Sequence, residues 1–149
     1  PPTALANAFI EHGGAKDLED LIEGYTKGHY EIGAETAPLV FQTAAQGDAV
    51  ASDIIKWAGF ELGEMANAVI RQLNFEDLEF EIALIGSMFK SGEPLIAPMR
   101  EKVHAIAPKA NLIRAEVKPV VGAALLGMEA GGLVLTLEKR NQIKQSLTK

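Results

Sequence analysis

Two β-prone runs separated by one helix-length segment constrain the fold of this chain more than any other feature. Residues 80–85 end in an unbroken apolar run, which is typical of a strand covered on both faces. Residues 112–117 alternate between apolar and polar side chains, as a more exposed strand does. Between them, the apolar residues of 93–107 recur at helical spacing. The resulting strand–helix–strand order predicts parallel strands with a right-handed crossover. Because two strands make a poor sheet, we expect further strands of the same sheet in sequence upstream of this chain.

Capping residues and apolar periodicity predict helices along the rest of the chain. Thr3 is expected to cap a first helix that ends near Gly14, and Asp17 is expected to cap a second. The remaining predicted helices cover residues 31–46, with a break or late start at Pro38, residues 119–130, and a polar tail from residue 136. The chain is therefore expected to be α/β, rich in helices and poor in strands.

The longest periodic run follows Asp48, which we expect to cap it. Its apolar residues recur at helical spacing along one stripe about six turns long. We interpret this stripe as the buried face of a core helix, with Trp57 and Met65 in the core. The members of the stripe are Val50, Ile54, Trp57, Ala58, Leu62, Met65, Val69 and Leu73.

Composition excludes several classes of function. Apolar residues make up 48% and charged residues 23% of the 149 residues, the balance of a soluble globular domain. The formal net charge of -6 disfavours nucleic acid and anionic membranes as partners. The chain has no cysteine, which excludes a disulfide framework, a thiolate metal site and a cysteine nucleophile, and fits a cytoplasmic location. Residues 119–137 are apolar, but Glu129 and two glycines favour a buried helix over a membrane span.

The loop after the first predicted strand is the strongest candidate for a binding site. In open α/β sheets, ligands bind beyond the carboxyl ends of the strands. Gly86 would let a ligand approach the backbone, Ser87 and Ser91 offer hydroxyl groups, and Lys90 offers a positive charge. The segment is not a Walker A loop, since no Gly-Lys-Ser/Thr occurs. The spacing of these residues alone leaves open a strand-to-helix loop that binds no ligand.

Other polar residues carry weaker signals. His12, His29 and His104 lack the helical spacing of a metal-binding pair, so we interpret them as surface residues. The acidic residues between positions 76 and 81 alternate with apolar ones, which favours a solvated strand face over a catalytic pair.

At the same loop the sequence resembles a known family. Residues 84–92, LIGSMFKSG, followed by Pro94 and Leu95, resemble the adenosine motif of the N-acetylglucosamine kinase family. That family stands with the BadF/BadG/BcrA/BcrD ATPases in the fold group of actin and hexokinase. Residues 119–127 (PVVGAALLG) resemble its final helix, residues 44–48 (AAQGD) the junction before its long helix, and residues 1–5 (PPTAL) the segment after its central Gly-rich motif. Ser87 departs from the second glycine that many bacterial relatives have.

The resemblance implies a helix-rich portion of a ribonuclease H-like ATPase domain, with helices on both faces of the sheet. It assigns residues 1–132 to an incomplete C-terminal lobe and residues 133–149 to a helical tail. The first residue is Pro1, so we expect a cut or processed start with sequence missing upstream. No catalytic residue is expected in this chain, because the phosphate-binding loops and the catalytic aspartate of the family lie upstream.

The resemblance also implies an activity and a set of ligands. The full-length protein would be a cytoplasmic kinase, and a homodimer, that transfers phosphate from ATP to N-acetylglucosamine or a related sugar. Gly86, Ser87, Met88, Lys90 and Ser91 would contact adenosine, and Mg²⁺ would be held mainly by the missing part. Ala37 would form the opposite wall of the adenosine site.

Two alternatives to a kinase remain open. One is an ATPase activator of a 2-hydroxyacyl-CoA dehydratase or benzoyl-CoA reductase, although such activators hold an iron–sulfur cluster with cysteines that this chain lacks. The other is a non-catalytic protein, either a nucleotide-binding regulator or an interaction module without a ligand.

Overall fold

A computed structural model describes residues 3–115 and 118–147 of the chain. The α-helices are α1 (Ala4–Gly13), α2 (Leu18–Thr26), α3 (Ala37–Ala45), α4 (Ala49–Leu73), α5 (Glu93–His104), α6 (Pro119–Ala130) and α7 (Leu137–Leu147). The strands are β1 (Phe80–Leu84) and β2 (Ala110–Arg114), and 3₁₀ turns span Ala34–Thr36 and Ser87–Ser91. The chain is α/β and rich in helices, as predicted.

The described residues form two compact units. The first contains the described residues up to Glu81 together with Gly86–Asn111, and it includes helices α1 to α5. The second contains Ile82–Ile85 and the described residues from Leu112 onward, and it includes α6 and α7. The predicted boundary between residues 132 and 133 stays a prediction.

The first two helices begin at the predicted caps. The Thr3 hydroxyl accepts the Ala6 N–H at 3.1 Å, and an Asp17 carboxylate oxygen accepts the Asp20 N–H at 2.9 Å. Helix α1 ends at Gly13 and is capped by Gly14, whose φ of 68° lies in the left-handed region that glycine adopts without strain. Local capping chemistry therefore sets these boundaries.

The third helix starts later than residue 31. Residues 31–33 have no helical assignment, a 3₁₀ turn covers Ala34–Thr36, and α3 begins at Ala37. Pro38 lies in the first turn of α3, where its missing N–H does no harm. The prediction of a helix from residue 31 was therefore wrong. The alternative prediction, a late start at Pro38, was right.

Helix α4 is capped by Asp48, but it buries a different face from the predicted stripe. Trp57 is 63% exposed and Met65 is 68% exposed, so their predicted place in the core was wrong for this chain. The other large exposed members of the stripe are Val50, Ile54, Val69 and Leu73. The residues that α4 buries are Ala51, Ile55, Gly59, Gly63, Asn67 and Ile70.

Small residues explain why that second face of α4 is the buried one. A Cβ atom at Gly59 would lie 2.5 Å from the Leu95 carbonyl oxygen, and one at Gly63 would lie 2.5 Å from Lys102 Cβ. Both neighbours belong to α5, so the glycines allow α4 and α5 to approach closely. The Asn67 amide then donates to the Lys102 carbonyl at 3.0 Å across the same contact. On its own side α5 buries Leu95, Met99 and Val103, as its periodicity predicts.

The two strands are neighbours in one sheet. The Ala115 N–H donates to the Leu84 carbonyl at 3.1 Å, which joins the carboxyl ends of β1 and β2. A bond between the two carboxyl ends is the pairing of parallel strands, as the strand–helix–strand order predicts. Ala83 is exposed and Ile85 is 63% exposed, so β1 is not covered on both faces by the described residues. Glu116 and Val117, in the second predicted strand, lie outside the described residues.

Helices α6 and α7 pack together in the second unit. Helix α6 begins at Pro119 and ends before Gly131, as predicted. The Arg140 guanidinium of α7 forms an ion pair with the Glu129 carboxylate of α6. Across the described ranges, none of the helices has both the length and the apolar character needed to cross a bilayer.

Candidate functional site

A cavity of about 690 Å³ opens in the first unit between the start of α3 and the loop that follows β1. We call it the α3 cavity. Its α3 wall consists of Ala34, Glu35, Ala37, Pro38, Phe41 and Gln42, and its loop wall consists of Ser87, Met88, Lys90 and Ser91. Its volume lies within the range of about 300–1,000 Å³ that is usual for small-molecule sites.

Five of the six predicted site residues line this one cavity. Ser87, Met88, Lys90 and Ser91 form one wall, and Ala37 stands on the wall opposite them. Ala37 is 50 positions or more from the loop residues in sequence, so it is the fold that brings the two segments together. Their role in binding stays a prediction.

Gly86 does not itself line the cavity but directs the loop that does. Its φ of 128° and ψ of 162° lie where a side chain is strained, and a Cβ atom there would meet nothing within 4 Å. The glycine is therefore required by the backbone and not by lack of space. It turns the chain from β1 into the 3₁₀ turn Ser87–Ser91, and Gly92, with a φ of 76°, ends that turn.

Hydrogen bonds within the loop decide which polar groups face a ligand. The Ser91 hydroxyl donates to the Met88 carbonyl at 2.6 Å, so its proton is already used. The side chains of Ser87 and Lys90 are exposed and have no hydrogen-bond or ion-pair partner within residues 3–115 and 118–147. Ser87 and Lys90 are therefore the loop groups that a ligand can engage.

The α3 wall contains residues that the sequence analysis missed. Phe41 is half-buried and lies one turn after Ala37, so the four-residue spacing could have identified it. Glu35 and Gln42 add a carboxylate and an amide to the same wall. An acidic residue in a turn before a helix gives no signal in the sequence, and only the tertiary arrangement brings Glu35 to the cavity.

The arrangement suits a flat, partly polar ligand. Phe41, Pro38 and Met88 provide apolar surface, against which an aromatic heterocycle can pack. Hydroxyl, amide and carboxylate groups stand around that surface and can fix the orientation of the ligand. Lys90 contributes one positive charge to the cavity wall.

The same residues do not form a metal site. In the part of the chain that the structure describes, no three His, Asp or Glu side chains come together as ligands. Glu93, at the start of α5 beside the loop, is held by both terminal nitrogens of Arg100 at 2.9 and 3.0 Å. These hydrogen bonds keep the pKa of the Glu93 carboxyl below its usual range.

Comparisons with known proteins agree with the family resemblance of the sequence. The profile of the BadF/BadG/BcrA/BcrD ATPase family matches residues 15–127, which include both walls of the α3 cavity. An N-acetyl-D-glucosamine kinase of Dictyostelium discoideum is 27% identical over 135 residues, which is 87% of this chain. The match spans 42% of that relative's length.

Proposed function

Because this chain belongs to the BadF/BadG/BcrA/BcrD ATPase family, we propose that its α3 cavity binds the adenosine part of ATP in an ATP-dependent sugar kinase. The observation that carries this proposal is the cavity itself. Four residues of the predicted adenosine motif and Ala37 of its predicted opposite wall line a single cavity of about 690 Å³, which is large enough for a nucleoside.

Each segment has a distinct role in the proposed complex. The positive φ of Gly86 turns the loop so that its amides and the Ser87 hydroxyl meet the ribose or α-phosphate side of the nucleotide. Lys90 and Ser91 border the base on one side. Ala37 and Phe41 form the opposite wall, where the ring of Phe41 packs against adenine.

The similarity to a sugar kinase also suggests the phosphoryl acceptor. The Dictyostelium protein is an N-acetyl-D-glucosamine kinase, so we propose N-acetylglucosamine or a closely related sugar as the substrate of the full-length protein. The described residues bring no three potential metal ligands together. We propose that Mg²⁺ is held mainly, and the catalytic base supplied, by the rest of the full-length protein. A cytoplasmic homodimer, a ribonuclease H-like domain and a lobe ending at residue 132 are part of the same proposal.

Sugar-dependent turnover of ATP by the full-length parent protein tests the function. We expect release of ADP with N-acetylglucosamine, measured beside a panel of hexoses and a control without sugar. Gly86→Val should raise the KM for ATP by about 10-fold or more, because a branched side chain cannot adopt the backbone of Gly86 without strain.

Gly28→Val is the matched control. Gly28 also has a positive φ, 76°, and open space around it, but it lies in the turn after α2 and not at the cavity. It should lose stability without a specific change in the KM for ATP. Equal changes in KM for both variants would contradict the assigned site, and the absence of turnover with every sugar would contradict the kinase.

A further inference from the structure

Glu35 is the carboxylate among the residues that line the α3 cavity, and its position limits what it can contact. It stands on the α3 wall, whereas the cavity's cation, Lys90, belongs to the loop wall. Within the described ranges Glu35 forms no ion pair, with Lys90 or with another cation. The carboxylate is therefore left to interact with whatever enters the cavity.

A tight turn fixes where that carboxylate lies. One Glu35 carboxylate oxygen, Oε1, accepts the Gly33 N–H at 3.0 Å. The same turn is closed by the buried Thr36, whose hydroxyl and N–H donate to the Gly33 carbonyl at 2.7 and 3.1 Å. The second carboxylate oxygen, Oε2, has no partner among the described residues. The side chain is held by one oxygen, and its second oxygen is not engaged by the described residues.

A carboxylate accepts hydrogen bonds and repels anions. The part of a nucleotide next to Glu35 must therefore donate hydrogen bonds and carry no negative charge, which excludes the phosphates. The ribose hydroxyls and the exocyclic amino group of adenine both meet these conditions. We choose the ribose, because an acidic side chain binds the ribose 2′-hydroxyl in other nucleotide folds. We propose that Glu35 binds the ribose hydroxyls and makes this site selective for ribonucleotides over 2′-deoxyribonucleotides. This inference rests on the proposed function.

The experiment compares ATP with 2′-deoxy-ATP in the full-length protein. The quantities are kcat and KM for both nucleotides, and the dissociation constants of ADP and 2′-deoxy-ADP by calorimetry. The wild type should prefer the ribonucleotide by about 10-fold, the value of one hydrogen bond to a charged group. Glu35→Gln should reduce that preference to about 2-fold through KM and not kcat. Its amide oxygen can still accept the Gly33 N–H, so the turn should persist.

Gly33→Ala separates the position of the carboxylate from its charge. The φ of Gly33 is -105°, which alanine adopts readily, so the backbone is not strained. A Cβ atom there would, however, overlap Glu35 Oε2 and lie 2.8 Å from Oε1. The substitution should move the carboxylate while keeping it, and it should lower the ribose preference as Glu35→Gln does.

Glu31→Gln is the matched control, since Glu31 is an exposed acid four positions earlier that does not line the cavity. It should leave the ribose preference unchanged. If wild type binds ATP but Glu35→Gln keeps the full preference, the role of Glu35 is overturned and the proposed function stands. If wild type binds neither nucleotide, the proposed function falls and the ribose assignment falls with it.

Discussion

The Leu95 carbonyl oxygen of α5 lies so close to Gly59 of α4 that a Cβ atom at Gly59 would come within 2.5 Å of it. A backbone atom cannot move aside as the end of a flexible side chain can. Gly59→Ala should therefore force α4 and α5 apart and lower the free energy of unfolding by about 1–3 kcal/mol. Urea unfolding of the chain measures the change.

Gly122→Ala is the control for that substitution. Gly122 lies in α6, and a Cβ atom there would meet nothing within 4 Å among the described residues. Alanine should raise stability by up to about 1 kcal/mol at such a position, since it favours the helix without a clash. A loss of stability equal to that of Gly59→Ala would contradict the role of close packing.

Asp48 joins the starts of two helices. One carboxylate oxygen accepts the Ala51 N–H at 2.9 Å and so caps α4, while the other accepts the Leu5 N–H of α1 at 2.8 Å. These two bonds hold the pKa of the Asp48 carboxyl below its usual range, and the bond from the Ala51 N–H has the larger effect. A lowered native pKa means that the stabilisation is present above the unfolded-state pKa and is lost as the pH falls through the native one.

Asp48→Asn should therefore make the melting temperature less dependent on pH in the acid range. The melting temperature of the variant, followed by circular dichroism from neutral to acid pH, should fall less on acidification than that of the wild type. At neutral pH Asp48→Asn should lower the free energy of unfolding more than Asp17→Asn does. The single amide oxygen of Asn can keep the one backbone bond of Asp17, but it cannot replace both carboxylate oxygens of Asp48. Identical pH dependence in wild type and Asp48→Asn would contradict this account.

Tyr30 and Asp20 close the turn after α2. The Tyr30 hydroxyl donates to Asp20 Oδ2 at 2.9 Å, and the Lys16 N–H donates to the same oxygen at 2.9 Å. The bond to the Asp20 carboxylate raises the pKa of the Tyr30 phenol. The stability that this hydrogen bond contributes is fully present below the pKa of the Tyr30 phenol in the unfolded chain. It is lost as the pH rises through the pKa of the phenol in the folded chain.

Spectroscopic titration of the phenol tests that pair. The chain has two tyrosines, so in a Tyr25→Phe background the absorbance change comes from Tyr30 alone. Its pKa should lie above the ordinary value for tyrosine, and Asp20→Asn should return it toward that value. A titration that does not respond to Asp20→Asn would contradict the hydrogen bond.

Trp57 is the single tryptophan of the chain and is 63% exposed. In this 149-residue chain its fluorescence should resemble that of a tryptophan in water, and iodide should quench it readily. Trp57→Ala should lower the free energy of unfolding by less than about 1 kcal/mol, in contrast to about 3–5 kcal/mol for a core aromatic. A blue-shifted, unquenched emission would place Trp57 in a core after all.

Local chemistry made the helix boundaries predictable, and tertiary packing limited the rest. Thr3, Asp17 and Asp48 cap their helices through neighbouring backbone groups, so the sequence contains the whole signal. The buried face of α4 depends on what packs against it. Hydrophobicity favoured the stripe that contains Trp57, but Gly59 and its neighbours fit α5 more closely.

The candidate site follows the same division. The loop from Gly86 to Ser91 has a recognisable pattern because its backbone requires glycine at a positive φ. Glu35 had no such signal, since an exposed acid before a helix is common in loops. Its place in the cavity depends on how α3 packs near the loop, which periodicity does not encode.

Photolabelling of the full-length parent protein with an azido derivative of ATP tests the central claim most directly. The account predicts that the label attaches to peptides containing residues 34–42 or 87–91, and that excess ATP prevents the labelling. Gly86→Val should reduce the yield and Gly28→Val should not. ATP-protected labelling confined to other peptides, with neither segment modified, would contradict a nucleotide site in the α3 cavity.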